Sequence, residues 1–112
     1  MNELEYISWK EFKKMAPSII KLEINRIGKL INTLAPKSDI HNDLIKVRYE
    51  LNQFIECLDQ TISLPLSDSC TGHLCKAILN LSPLAVEKDN LKTINNIVNR
   101  LNYVHNRIGM IY

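Results

Sequence analysis

Residues 40–62 read IHNDLIKVRYELNQFIECLDQTI. Apolar side chains recur here in steps of three or four residues, the spacing that places them on one face of an α-helix. The stripe consists of Ile40, Leu44, Val47, Leu51, Phe54, Leu58 and Ile62, widened by Ile45 and Ile55. Ser38 or Asp39 is a suitable N-cap, and Ser63-Leu64-Pro65 marks an end. The segment therefore predicts one long helix with a buried face.

A second helical stretch precedes it, over residues 8–34. Ser8 and Glu11 have the spacing of a capping box. Apolar residues then follow at helical spacing: Trp9, Phe12, Met15, Ala16, Ile20, Ile24, Ile27, Ile31 and Leu34. Pro17 lies inside this stretch and suits a first helical turn, so we predict a short helix ending near Met15 and a new one starting at Pro17. One kinked helix is the alternative. Ala35-Pro36-Lys37 predicts the stop.

Two more helices are predicted towards the C-terminus. The first runs from about Thr71 to Leu81, after a turn or cap at Ser67-Asp68-Ser69, and the second runs from about Asp89 to near the end of the chain. The predicted seam of the last helix is Leu91, Ile94, Val98, Leu101, His105, Ile108 and Tyr112, flanked by Ile97 and Val104.

These segments together indicate an all-α fold. The chain has 112 residues with only 3 Gly and 4 Pro, which favours a few long helices over many strands and turns. Short loops between amphipathic helices are typical of antiparallel neighbours. We predict a single domain over residues 1–112: a small, mostly antiparallel bundle of four helices, or five with the break at Pro17.

Composition excludes several classes of protein. No apolar run approaches the roughly 20 residues that a membrane span needs. Glu3 and Glu5 stand where a secretory signal would carry basic residues, and three cysteines form no even disulfide framework. We therefore expect a cytoplasmic protein with no membrane partner. The net charge of +2 is divided unevenly, with basic residues in excess over 1–37 and 70–112 and acidic residues in excess over 38–69. We interpret these charges as ordinary solvated faces, and complementarity to a neighbouring subunit is the alternative.

The segment Cys70-Thr-Gly-His73-Leu-Cys75 contains three potential metal ligands. It lacks the paired Cys-x-x-Cys spacing of zinc sites, and cysteine also packs as a small apolar residue. We therefore predict no metal and no cofactor. A cysteine paired with His73 or His105 as nucleophile and base stays open, because such partners need only meet in space.

The last helix carries Arg100-Leu-Asn-Tyr-Val-His105, which resembles the Arg-x4-His motif of the HEPN families of small helical-bundle ribonucleases. A second register, from His105 to Tyr112, resembles their Arg-Asn-x3-His-x-Tyr form. It keeps Asn106 and Tyr112 but places His105 and Met110 at the two catalytic positions, so chemistry in that register would be lost.

The resemblance implies a metal-independent ribonuclease, active or decayed, of a toxin–antitoxin or phage-defence system, with RNA as partner. Arg100 would hold the phosphate and His105 would be the general acid or base. Two residues five apart on a helix differ by about 140° of rotation, so a second subunit or neighbouring helices would have to complete the site. In the alternative interpretation His105 packs on the helix seam and Arg100 is solvated.

Our leading hypothesis is a non-catalytic interaction protein, a homo-oligomer or a subunit of a larger complex, such as a phage or mobile-element modulator of host defence. The first helix is apolar around most of its circumference, which requires burial on more than one side. Trp and Tyr are also common anchors at interfaces. The predicted partner-binding residues are Trp9, Phe12, Ile19, Leu22, Leu30, Tyr103 and Arg107.

Overall fold

The computed structural model describes residues 6–33, 38–86 and 91–112. They form four α-helices: α1 (Trp9–Asn32), α2 (Asp39–Gln60), α3 (Asp68–Leu81) and α4 (Leu91–Ile108). A 3₁₀ turn over Ser82–Val86 follows α3. The predicted all-α bundle is confirmed. Leu34, the stop at Ala35–Lys37, the start at Asp89 and the side chain of Leu91 lie outside the described part. None of the helices in these ranges is long and apolar enough to cross a membrane.

Serine residues start the first three helices in the same way. The Oγ atoms of Ser8, Ser38 and Ser67 each accept a hydrogen bond from the backbone N–H three residues later, at 3.1–3.2 Å. Each bond satisfies one donor that the helix itself leaves unpaired, which stabilises a helix start by about 1 kcal/mol. The predicted cap at Ser8 is confirmed, and the open choices at Ser38 and Ser67 are settled.

The helices form a closed ring of neighbours, in which α1 packs on α2 and α4 while α3 packs on α2 and α4. Cross-helix contacts fix their directions. Lys13 of α1 reaches Thr61, just after α2. Sγ of Cys57, near the end of α2, lies 3.9 Å from Oγ of Ser67, the N-cap of α3, and the start of α1 lies beside the residues that follow α4. In each of these pairs the start of one helix lies beside the end of the other. Neighbouring helices are therefore antiparallel, as predicted.

The predicted break at Pro17 is wrong, because α1 continues through it as one helix. Proline inside a helix costs about 3 kcal/mol relative to alanine. Phe12, Ala16 and Ile20 lie on one face across the proline, and all three are fully buried. Burying a single Phe or Ile side chain contributes about 1.5–3 kcal/mol, so packing on both sides of Pro17 outweighs its local cost.

The core collects the inward faces of all four helices. Its residues on α2 are Leu44, Val47, Leu51, Phe54 and Leu58, as predicted. The other predicted members are not fully buried: Ile40 and Ile55 are partly buried, and Ile45 and Ile62 are exposed. On α4 the fully buried residues are Ile94, Ile97, Leu101 and Val104. The predicted seam is confirmed at Ile94 and Leu101, but the buried face is rotated from it by part of a turn. The predicted flanks Ile97 and Val104 are central, His105 lies at the margin, and Tyr112 is exposed.

Candidate functional site

The segments flanking α1 and α4 are joined by backbone hydrogen bonds at one end of the bundle. The N–H of Ile7 donates to the carbonyl of Met110, that of Trp9 to Tyr112, and that of Tyr112 to Ile7, each at 3.0 Å. Ile7 and Ile111 form a parallel bridge. We call this arrangement of residues 7–9 and 110–112 the terminal clasp.

Trp9 ties the clasp to the segment that follows α2. Its indole N–H donates to the carbonyl of Ile62 at 3.2 Å. Lys13, one turn further along α1, donates to the carbonyl of Thr61 at 2.6 Å, and its ammonium lies 5.5 Å from the centre of the Trp9 ring. A cation beside the last carbonyls of a helix is favoured by the helix dipole. Two contacts therefore hold residues 61 and 62 against α1.

This end of the molecule exposes large apolar side chains. Ile62 is 90% exposed, Tyr112 68% and Tyr6 65%, and Leu64 is also exposed. We call these four residues the terminal patch. Scattered apolar residues are normal on a surface, but a contiguous group often marks an interaction site.

A small cavity of about 260 Å³ opens beside the patch. It is lined by Leu64, Pro65, Leu66, Thr71, Ile108 and Ile111. Pockets for drug-sized ligands usually span about 300–1,000 Å³. A mostly apolar cavity below that range suits one aliphatic side chain better than a cofactor.

The predicted partner-binding residues on α1 divide between core and surface. Phe12 is fully buried and offers no surface to a partner in this conformation, whereas Leu30 is 8% exposed and lines a second surface cavity of about 270 Å³. Ile19 and Trp9 are half-buried, and the Trp9 ring stacks on Phe12 with centroids 6.4 Å apart. Leu22, at 55% exposure, is the member of the α1 set that stays clearly accessible.

Sequence reasoning missed Ile62 and Tyr112 as surface residues, because both continue a helical spacing. The helices end before them: α2 stops at Gln60 with Thr61 as C-cap, and α4 stops at Ile108. Pro65 and Gly109 were the available signals, since both residue types punctuate helices.

A buried carboxylate connects α1 to α4. Glu23 is 1% exposed, and its Oε2 accepts a hydrogen bond from Nη1 of Arg26, while Nη1 of Arg100 lies 3.6 Å from Oε1. Burial raises the pKa of the Glu23 carboxyl above its ordinary value of 4.5, and the two arginines partly lower that pKa again. Within the described residues Oε1 has no hydrogen-bond partner. Arg100, predicted as a catalytic residue, is thus paired with an acid and remains partly exposed.

His105 points to a different neighbour. Its Nε2 lies 3.2 Å from Sγ of Cys75 on α3, and both residues are half-buried. The structure therefore does not bring Arg100 and His105 together within one chain. In the second register Met110 and Tyr112 lie beyond the end of α4, and both are engaged in the terminal clasp.

The outer face of α4 carries cations and amides but no carboxylate. Its exposed residues are Lys92, Thr93, Asn95, Asn96, Asn99, Arg100, Tyr103 and Asn106. The guanidinium of Arg107 lies 4.1 Å from the centre of the Tyr103 ring. Arg, Lys, Asn, Thr and Tyr are among the side chains that contact nucleic-acid phosphates.

The residues of the Cys70–Cys75 segment have separate partners. Cys70 is buried, with Sγ 4.0 Å from the carbonyl of Phe54, and His73 Nδ1 lies 2.8 Å from Oε1 of Glu50. Cys75 faces His105. Across the described ranges no three His, Cys, Asp or Glu residues converge as a metal site would require.

Three comparisons with known proteins give no relative for this chain: no family model, no curated protein and no solved structure matches it.

Proposed function

We propose that this protein is a self-associating helical module and that two copies meet through the terminal patch. The observation that carries the proposal is the side chain of Ile62, which is 90% exposed at the same end of the bundle as a mostly apolar cavity of about 260 Å³. Burying one isoleucine side chain contributes about 1.5–3 kcal/mol. A monomer, in which Ile62 stays exposed to solvent, does not gain this stabilisation.

The patch is self-complementary. In a twofold dimer the same surface is used by both copies, so each residue pair occurs twice. A projecting Ile62 and a cavity of side-chain size on one surface satisfy this symmetry, because each copy's Ile62 enters the other copy's cavity. The cavity is lined by Leu64 and Ile111, so it belongs to the same end of the bundle as Ile62.

The test is sedimentation velocity over a range of protein concentrations. We expect a concentration-dependent dimer for the wild type and a monomer for Ile62→Glu. The matched control is Leu79→Glu. Leu79 is 71% exposed and lies near the C-terminal end of α3, away from the terminal patch, so its substitution should leave the dimer intact. A wild type that stays monomeric, or an Ile62→Glu variant that still dimerises, would contradict the proposal.

The second candidate is a HEPN-like RNA-cleaving protein, and the acid-free outer face of α4 favours it. Glu23 holds Arg26 and Arg100 side by side, and arginine binds phosphate through two parallel donors. His105 would then act as acid or base beside a site that a second subunit completes.

RNA cleavage separates the two candidates. Purified protein is incubated with total RNA beside the variants Arg100→Ala and His105→Ala. Cleavage by the wild type that both substitutions abolish would support a ribonuclease. Equal degradation by all three proteins, or none, would leave self-association as the proposal.

A further inference from the structure

The contact between Cys75 and His105 is the closest approach of a nucleophile and a base in the described part of the chain. The sulfur and Nε2 are 3.2 Å apart, which is within the range at which a general base takes a proton from a nucleophile. The residues are 30 positions apart and belong to different helices. Their meeting is therefore set by the packing of α3 against α4 and not by local helix geometry.

The pair lies at the margin of the core, where both residues are partly exposed. Leu74 and Val104, which precede the two residues in sequence, are fully buried and hold both helices in place. Cys75 and His105 themselves are half-buried. A thiol in this position is fixed against its neighbour yet can be reached from solvent, whereas structural buried cysteines are inert.

The other two cysteines have different surroundings. Cys70 is fully buried, and burial, with a smaller contribution from neighbouring Cys57, raises the pKa of the Cys70 thiol to about 12. Cys57 is half-buried like Cys75, but its sulfur lies 3.9 Å from the hydroxyl of Ser67, which is not a base at neutral pH. The chain thus contains a fully buried thiol and a second half-buried thiol as internal references.

We propose that Cys75 and His105 form a nucleophile–base pair that takes up an electrophilic carbon from a small molecule. The proton of the Cys75 thiol passes to Nε2 of His105, and the sulfur forms a bond to the carbon. The leaving group departs with its bonding electron pair, and the imidazolium then gives its proton to that group or to water. The carbon is either saturated and bears a leaving group, or is the carbonyl carbon of an activated ester. This inference does not depend on self-association.

Two reagents distinguish these carbon types in the folded wild-type chain. Iodoacetamide offers a saturated carbon with iodide as leaving group, and p-nitrophenyl acetate offers an acyl carbon with p-nitrophenolate as leaving group. Labelling of each cysteine at pH 7 is followed with time by tandem mass spectrometry. With at least one reagent we expect Cys75 to react about ten times faster than Cys57 or more, and Cys70 not to react.

The labelling rates of the unfolded wild-type chain provide a second control, which requires no substitution. In concentrated urea the three thiols lose their neighbours and should react at similar rates. Cys75 should therefore be slower in urea than in the folded chain, while Cys70 should be faster. A Cys75 that reacts no faster when folded, with both reagents, would overturn the proposal.

The variants His105→Gln and His73→Gln test the base. Glutamine keeps a polar side chain but cannot accept the thiol proton, so His105→Gln should lower the Cys75 rate to that of Cys57. His73 pairs with Glu50 instead, so His73→Gln should leave the Cys75 rate unchanged. Cys70 reports on folding in each variant, because it becomes labelled if the bundle opens. An unchanged Cys75 rate in a folded His105→Gln variant would refute the pair.

Discussion

Glu23 is an acidic residue in an almost fully buried position. It stands on α1 among core side chains, and its neighbours Ile20 and Ile27, one turn away on either side, are fully buried. A carboxylate removed from water is costly unless it is paired and hydrogen-bonded. Arg26 and Arg100 supply that pairing from two helices, so Glu23 fixes the contact of α1 with α4 at the cost of burying a charge.

The raised pKa of Glu23 predicts how stability depends on pH. In the unfolded chain the carboxyl titrates near 4.5, and in the folded chain it holds its proton to a higher pH. Its contribution to the free energy of unfolding is therefore fully present below about pH 4.5 and is lost as the pH rises through the folded pKa. Urea unfolding at a series of pH values should show this fall in the wild type and less of it in Glu23→Gln. Parallel pH profiles for the two proteins would show that Glu23 titrates alike in both states.

At the scale of elements, α1 contains a proline where a helix is least tolerant of it. Pro17 cannot donate a hydrogen bond to the carbonyl of Lys13, and its ring crowds the preceding turn. We expect Pro17→Ala to restore that bond and to raise the free energy of unfolding by as much as about 3 kcal/mol. Thermal or urea unfolding measures the change. A destabilised Pro17→Ala variant would mean that the proline bends α1 into the shape the core requires.

Gly72 lies inside α3, at a position where a larger side chain would fit. A Cβ atom built at this position meets nothing within 4 Å. Glycine in a helix interior costs about 0.5–1 kcal/mol relative to alanine. Gly72→Ala should therefore raise the free energy of unfolding by about that amount in urea titrations. Gly28→Ala is the comparison: its new Cβ would lie 3.9 Å from the guanidinium of Arg48, an ordinary contact, so a loss of stability in both variants would contradict the helix-propensity argument.

The spacing of apolar residues predicts the buried face of α2 but only part of the buried face of α4. The apolar residues from Leu44 to Leu58 form a buried face at the predicted spacing. Apolar residues three and four positions apart all lie on the same side of α2, so only that side can face the core. On α4 the apolar side chains also lie along one face, and the predicted seam and the observed core both fall within that face. The choice of Ile97 and Val104 over Val98 and His105 comes from where α1 and α3 lie, which a local pattern does not contain. The Cys75–His105 and Glu23–Arg100 contacts are unpredictable for the same reason.

At the scale of the whole molecule, the terminal clasp joins the two ends of the described bundle and supports the terminal patch. Three backbone hydrogen bonds hold it, and Trp9 links it to Ile62. Backbone hydrogen bonds contribute about 0.5–1.5 kcal/mol each, so the clasp stabilises α1 against α4 by a few kcal/mol. It also sets the positions of Tyr112 and Ile111 at the rim of the proposed interface.

Removing residues 110–112 should therefore weaken folding and self-association together. The deletion takes away all three bonds of the clasp and one wall of the cavity, formed by Ile111. We expect a loss of about 1.5–4.5 kcal/mol in the free energy of unfolding and a red shift in the fluorescence of Trp9, the single tryptophan of the chain. Tyr112→Ala is the control, because it keeps the backbone bonds and the wavelength should stay unchanged. A deletion variant with wild-type stability and emission would show that the bundle closes without its clasp, and dimerisation by that variant would remove the terminal patch as the interface.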